Sequence, residues 1–287
     1  VALGVEHLRH EAAVGQGYLV VPDVAPVLLF VEQESLHGGE AFGDPVPVPA
    51  VDALGNLLGA WPLGLGAFAL PLTFIAVVGL VNAINFTDGA DGLSGGLVFN
   101  ALFWLCAMEM VRGNFAAGKA EILLAFLGAV AGFLAFNLRW FGRRRALAFL
   151  GDSGSLGLGF VLAWFTVSGT TRELPLYAPV TAIWLLAVPL ADTLTCAGRR
   201  VLSGASPFKA DRKHLHHILM DLGLTAPRAV AMIHAAAFLL GAAGVTGWHT
   251  GVPEHLMFYA AMAIFASYIL FSALALRAIE ASRGGRG

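Results

Sequence analysis

The sequence predicts an all-α protein: a polytopic integral membrane bundle of about seven transmembrane helices, preceded by an irregular N-terminal segment. Three observations carry that expectation. Of the 287 residues, 57% are hydrophobic and the mean hydropathy is +0.75. Only 13% are Asp, Glu, Lys or Arg, against roughly 25% in soluble domains. The apolar residues also gather into runs close to the ~20 residues that cross a bilayer core. A disordered chain would need low hydrophobicity and high charge. A net charge of −2 without a long basic run argues against a nucleic-acid partner. Cys106 and Cys196, the only cysteines, lie in apolar stretches and make no disulfide framework.

Residues 1–52 stand apart. They hold eight acids against one base, Arg9, whereas the rest of the chain holds sixteen bases and eleven acids. Their longest apolar stretch, Val20 to Val31, is short and contains Pro22, Asp23 and Pro26. They carry no signal-peptide pattern, and the chain opens on Val. They are read as an atypical acidic segment without an assigned function, with the start of the chain expected to be a fragment or misassigned. Residues 53–287 form the expected membrane-embedded domain.

The predicted spans are 67–84, 94–111, 120–138, 147–167, 177–196, 228–247 and 256–276. Internal Gly and Pro do not count against them, because membrane helices tolerate both. The connections are short except 197–227, which is long and polar. Seven spans place thirteen Lys and Arg residues on one side, Arg139 to Arg286, and three on the other, Arg112, Lys119 and Arg172. By the positive-inside rule the first side is cytoplasmic.

Three polar clusters fall on that side. The first, Asn82-Ala-Ile-Asn85-Phe-Thr-Asp88-Gly89-Ala-Asp91-Gly92, joins the first two spans. On helical backbone Asn82 and Asn85 would share a face, as would Asp88 and Asp91. Converging amide and carboxylate oxygens suit a hard cation. A polar turn with capping side chains is the plainer alternative. The second, Gly151-Asp152-Ser153-Gly154-Ser155, opens the fourth span. Asp152 is placed at a helix start, where free N–H groups receive phosphate oxygens, although an N-cap explains it equally well. The third runs from Ser206 to His217 and includes Lys209, Arg212, Lys213, His214, His216 and His217. Such donors suit phosphate, and on helical backbone His214 and His217 would share a face. A zinc site is the rival, but no Cys or Glu lies at ligand spacing there. Asp192 reads as a partner of the site or a simple cap, and His234 as a packed residue.

Carboxylates for a divalent cation, a Gly/Ser turn and basic donors on one membrane face suit a reaction at phosphorus with a lipid partner. The runs NAINFTDGADGLSGG, FLGDSGSLGLGF and SPFKADRKHLHHILMDLG resemble the signature motifs of the polyprenyl-phosphate N-acetylhexosamine-1-phosphate transferases, glycosyltransferase family 4. The likeness spans about residues 68–276 in motif order and span layout. The last run is similar to the branch that transfers GlcNAc-1-phosphate from UDP-GlcNAc to undecaprenyl phosphate, which starts O-antigen, enterobacterial common antigen or teichoic-acid linkage units. The branch making the first peptidoglycan lipid intermediate, a phospho-MurNAc-pentapeptide transferase, usually has three consecutive histidines here and remains the alternative.

The resemblance implies Mg²⁺, with Mn²⁺ as a substitute, held by Asp152 with Asn85 beside it. It makes Asp88, Asp152 and His217 the catalytic candidates. Asn82, Asp91, Arg212, His214 and His216 become substrate-binding candidates, Asp91 near the uracil and the basic residues near the diphosphate. The implied partners are a UDP-N-acetylhexosamine, a polyprenyl phosphate and the lipid bilayer, with no nucleic acid and with a homodimer left open. The implied location is the inner (plasma) membrane, multi-pass, with the site facing the cytoplasm. The family's adjacent Asp-Asp pair has no counterpart, since no Asp-Asp dipeptide occurs in the sequence. The family's N-terminal part is therefore expected to be missing or replaced, which leaves an inactive truncated member as a further alternative. A transporter is the rival of another class, but transporters place such groups near the bilayer midplane, whereas these lie at one rim.

Overall fold

The computed structural model describes residues 50–59, 63–113, 119–139, 145–171, 176–206 and 213–284. Nearly all of the acidic segment 1–52, and Arg212, lie outside the described residues. Among those described there are nine α-helices and no named strand: α1 (Ala69–Thr87), α2 (Leu93–Arg112), α3 (Lys119–Asn137), α4 (Gly151–Ser168), α5 (Pro179–Leu185), α6 (Ala187–Leu202), α7 (Leu215–Asp221), α8 (Ala226–His249) and α9 (Glu254–Gly284). A 3₁₀ turn, Gly66–Phe68, leads into α1. The protein is a multi-pass helical membrane bundle, as its composition predicts.

Five helices are long and apolar enough to cross a bilayer, and a bent pair makes up to six among the described residues. Two expected spans differ from expectation, and each has a local cause. The span 177–196 is not one helix: α5 and α6 meet at an angle of 82° around Leu186. Pro189 sits in the first turn of α6, and its ring conflicts with the carbonyl four residues back, at Leu185, so a straight helix cannot pass through. The span 147–167 is helical over Gly151–Ser168. Its opening Gly-Asp-Ser-Gly-Ser dilutes the apolar run, and it is not among the five. The polar connection 197–227 also contains structure, since α6 runs on to Leu202 and α7 forms within it.

The helices pack around α2, with α3, α4 and α8 against it and α1 laid along α4. The main core joins Leu80 and Ile84 of α1, Leu102 and Leu105 of α2, and Leu162 and Ala163 of α4. Helix–helix contact in a membrane favours small residues that let backbones approach. Gly159 of α4 shows this: a Cβ there would lie 2.9 Å from the Cα of Val81 on α1. On α8, Gly241 and Gly244 receive Trp104 of α2 and Trp184 of α5 in the same way. A second core, Leu93, Leu97, Leu219, Val230 and Ile233, seats α7 between α2 and α8. Apolar side chains such as Phe74, Leu239 and Leu270 remain exposed on the outside, where hydrocarbon rather than water is the expected neighbour.

The hydrogen bonds sort the helix ends. The end of α1, the starts of α2 and α4, and α7 gather at one end of the bundle. Residues 50–59 and 63–66 and the junction of α8 with α9 lie at the other, where Glu254 accepts the Asn56 N–H and Ala53 pairs with Gly64. The described residues of all three polar clusters that make these contacts, among them Asp88, Asn85, Asp152 and His216, belong to the first end.

Candidate active site

The site begins where α1 stops. Thr87 folds its hydroxyl back onto the Ile84 carbonyl (2.7 Å), and Asp88 leaves the helix with its N–H on the Asn85 carbonyl (3.1 Å). The turn 88–92 ends at Gly92, whose φ of +81° lies in the left-handed region that favours glycine. The expectation that Asp88 and Asp91 share a helical face is therefore corrected. Both lie in a turn, and they have different partners. Asp88 accepts from Ser94 Oγ at 2.6 Å, and Asp91 pairs with Arg139 Nε.

Asn82 and Asn85 do stand on helical backbone. Asn82 donates to the Val78 carbonyl of its own helix (2.8 Å). Asn85 crosses to α4, donating to Ser155 Oγ at 2.9 Å and lying 3.4 Å from Asp152 Oδ1. Two clusters 67 residues apart in sequence thus meet through one amide. Asp152 lies in the first turn of α4, as expected, beside free helical N–H groups. Burial raises the Asp88 pKa above the ordinary carboxylate value. The Ser94 hydrogen bond opposes that rise, and the charges of Asp152 and Asp91 add to it. Asp152 and Asp88 offer carboxylate oxygens that repel one another, and Asn85 carries an amide oxygen beside them; an oxygen-loving divalent cation fits that set.

The third cluster reaches the same place. His216, buried, packs its ring against Gly89, where a Cβ would lie 2.7 Å from His216 Nε2. The His217 ring is 4.1 Å from that of His216. His214 departs from the expectation of a helical face shared with His217. It occupies the N-cap position of α7 in extended backbone, and both its ring nitrogens are engaged. Nδ1 lies 2.9 Å from Asp192 Oδ2, and Nε2 lies 3.3 Å from Arg200 Nη2. Burial disfavours the charged imidazole, but the bonds to Asp192 and Cys196 outweigh it and push His214 up to about 10. Arg200, which can only donate, works the other way at Nε2, so Nδ1 keeps its proton in either state.

Several residues around the site were not legible as functional. Asn137, buried at the end of α3, accepts the Gly92 N–H at 2.6 Å and donates to the Ala148 carbonyl at 2.6 Å, so it ties the acidic turn to the approach of α4. His234 is packed, as expected, but its Nε2 also lies 3.0 Å from the Gly92 carbonyl. Tyr268 donates to Asp192 at 2.7 Å. A lone Asn or Tyr in an apolar run gives no periodic or motif signal. Asp192, Cys196 and His214 place ligand-type atoms within 4.8 Å of one another. Guanidinium nitrogens of Arg199 and Arg200 lie 3.2 and 3.3 Å from Cys196 Sγ and His214 Nε2, and two fixed cations disfavour a metal ion there.

Residues 39–170 match the model of glycosyl transferase family 4. Over that stretch, somewhat under half of its length, the chain is similar to that family. It is 35% identical over 222 residues, 76% of this chain, to the undecaprenyl-phosphate alpha-N-acetylglucosaminyl 1-phosphate transferase of Escherichia coli (strain K12). It is 36% identical over 220 residues, 75% of this chain, to the protein of the same name from Yersinia pestis. In each case 59% of the relative is covered. A "probable undecaprenyl-phosphate N-acetylglucosaminyl 1-phosphate transferase" of Bacillus subtilis (strain 168) is 34% identical over 184 residues, which is 63% of this chain and 49% of that protein. The chain therefore spans about three fifths of the length of the Escherichia and Yersinia relatives.

Proposed function

We propose that this chain transfers GlcNAc-1-phosphate from UDP-GlcNAc to undecaprenyl phosphate, releasing UMP, at the cytoplasmic face of the inner membrane. The observation that carries the reading is the Asn85 contact with Asp152 and Ser155, beside Asp88 and within reach of the histidine helix. The names of the relatives support the sugar and the lipid.

Asp152, with Asn85 beside it, would hold Mg²⁺; when bound, the ion would offset the negative charge of the diphosphate. Asp88 positions the lipid phosphate, and its raised pKa suits a group that accepts a proton from it. Asp91, oriented by Arg139, reaches toward the nucleotide. His216, His217 and Arg212 stabilise charge as it moves onto the leaving UMP phosphate. His214, with both ring nitrogens used inside the protein, holds that loop in place. Asn82, turned back on its own helix, serves the end of α1. The chemistry is thus positioning and charge neutralisation, which phosphoryl-group transfer mostly needs.

The test is transfer of labelled GlcNAc-1-phosphate from UDP-GlcNAc to undecaprenyl phosphate by the chain in lipid nanodiscs, with Mg²⁺ and with EDTA. Metal-dependent labelled lipid and stoichiometric UMP are expected. A folded chain that binds UDP-GlcNAc and forms no labelled lipid overturns the transfer reaction.

A further inference from the structure

We propose that Asp192 is a positioning residue that sets the histidine helix against the acidic turn, acting as an N-cap supplied from another helix. Helix α7 has only seven residues, far below the length at which a helix holds itself in water. Its own N-cap residue, His214, makes no side-chain cap hydrogen bond. The Leu215 N–H is met instead by Asp192 Oδ1 at 2.9 Å, from α6. The other oxygen, Oδ2, takes His214 Nδ1. A buried carboxylate at the start of α7 also matches the helix dipole.

Neighbouring bonds extend the clasp. Arg199 Nη2, also on α6, donates to the Lys213 carbonyl at 3.0 Å, and its Nη1 reaches Ser272 Oγ on α9 at 3.1 Å. Three successive residues, 213 to 215, are therefore fixed to α6. The next residue, His216, is the one lying against Gly89. Tyr268 of α9 donates to Asp192 Oδ1 at 2.7 Å and fixes the carboxylate in turn. The bend at Leu186 and Pro189 has a purpose in this scheme. It turns α6 away from the line of α5, and Asp192 stands on the redirected segment.

This inference rests on the proposed role of His216 and His217 in holding the diphosphate. It is tested on the full chain in nanodiscs with Asp192→Ala, with Asp192→Asn, which keeps an oxygen acceptor for the Leu215 and Tyr268 donors, and with Tyr268→Phe. Calorimetry measures the affinity for UDP-GlcNAc at saturating Mg²⁺. The rise in melting temperature caused by Mg²⁺ alone reports the Asp152 end of the site. Asp192→Ala is expected to weaken UDP-GlcNAc binding by about 10–100-fold while the response to Mg²⁺ is kept, and Asp192→Asn is expected to restore part of the loss. A loss of both responses in equal measure, or of neither, overturns the proposal. Should Asp192→Ala not fold, Tyr268→Phe carries the same expectation in milder form. If the unaltered chain binds no UDP-GlcNAc, the proposed function fails rather than the clasp. Amide exchange then judges the clasp: residues 213–217 must exchange faster in the variants while residues 88–96 do not, and unchanged exchange at 213–217 overturns it.

Discussion

His216 Nε2 lies so close to Gly89 that a Cβ on the glycine would be 2.7 Å away. The acidic turn and the histidine helix are thus in van der Waals contact, and only hydrogen at this position allows it. Gly89→Ala leaves the titratable groups in place and pushes a buried ring outward. We expect kcat/KM for GlcNAc-1-phosphate transfer to fall by about 10–100-fold, since small displacements around a site cost that much. The melting temperature should change little. Unchanged kinetics would mean that the two motifs do not act together.

Asp152 and Asp88 should respond in opposite directions. Asp152→Asn removes the carboxylate that meets the Asn85 amide and should abolish the rise in melting temperature that Mg²⁺ produces. Asp88→Asn relieves repulsion from Asp152 and Asp91 at a half-buried carboxylate. Without metal, that variant should melt higher than the parent, while its transfer rate falls. A parent-like Mg²⁺ response in Asp152→Asn would remove this residue from the metal site.

Asn137 makes two bonds of 2.6 Å from a buried position. Asn137→Leu would leave the Gly92 N–H and the Ala148 carbonyl without their partner. Each unsatisfied buried group costs roughly 1–3 kcal/mol, so unfolding in mixed micelles should be easier by about 2–6 kcal/mol. Because the two bonds tie the segments carrying Asp88 and Asp152, the Mg²⁺ response should also weaken. Denaturant titration with and without Mg²⁺ measures both effects.

The sequence made the class of fold and the cluster of chemistry legible, and it failed where tertiary geometry decides. Apolar runs marked helices because length and composition are local properties. They did not show the 82° break, since Pro189 alone does not say whether a helix kinks or ends. Charge bias put Asp88, Asp152 and His216 on one face, and the structure brings them together. The finer pairing escaped. Spacing put Asp88 with Asp91 and His214 with His217, yet the turn that ends at left-handed Gly92 takes both aspartates off helical backbone, and His214 stands in extended backbone ahead of the helix that carries His217. Asn137 and Tyr268 went unnoticed because an isolated polar residue in a membrane run carries no pattern until its partners are known.

The His214–Asp192 pair predicts how stability depends on pH. His214 has its pKa raised from 6.5 to about 10 in the folded chain. A raised base contributes its full stabilisation below the unfolded value of 6.5 and loses it as pH rises through about 10. The melting temperature should therefore decline between those limits, and the decline should flatten in Asp192→Asn. A flat profile in the parent would show that Arg200 prevails and that His214 is neutral throughout.

The α1–α4 contact gives a test that touches no polar group. Val81 and Gly159 face each other one helical turn below Asn85 and Ser155, and a Cβ on Gly159 would meet Val81 Cα at 2.9 Å and its carbonyl oxygen at 3.1 Å. Both obstacles are backbone, so Gly159→Ala can be accommodated only if the helices separate. Overpacking of this kind costs about 1–3 kcal/mol. The separation should also lengthen the Asn85–Ser155 hydrogen bond and reduce the Mg²⁺ response in step with the loss of stability. Gly157, on the same helix, has nothing within 4 Å of a Cβ. Gly157→Ala should leave the Mg²⁺ response intact and, by helix propensity, stabilise by up to about 1 kcal/mol. Equal behaviour of the two variants would show that close approach of α1 to α4 does not govern the site.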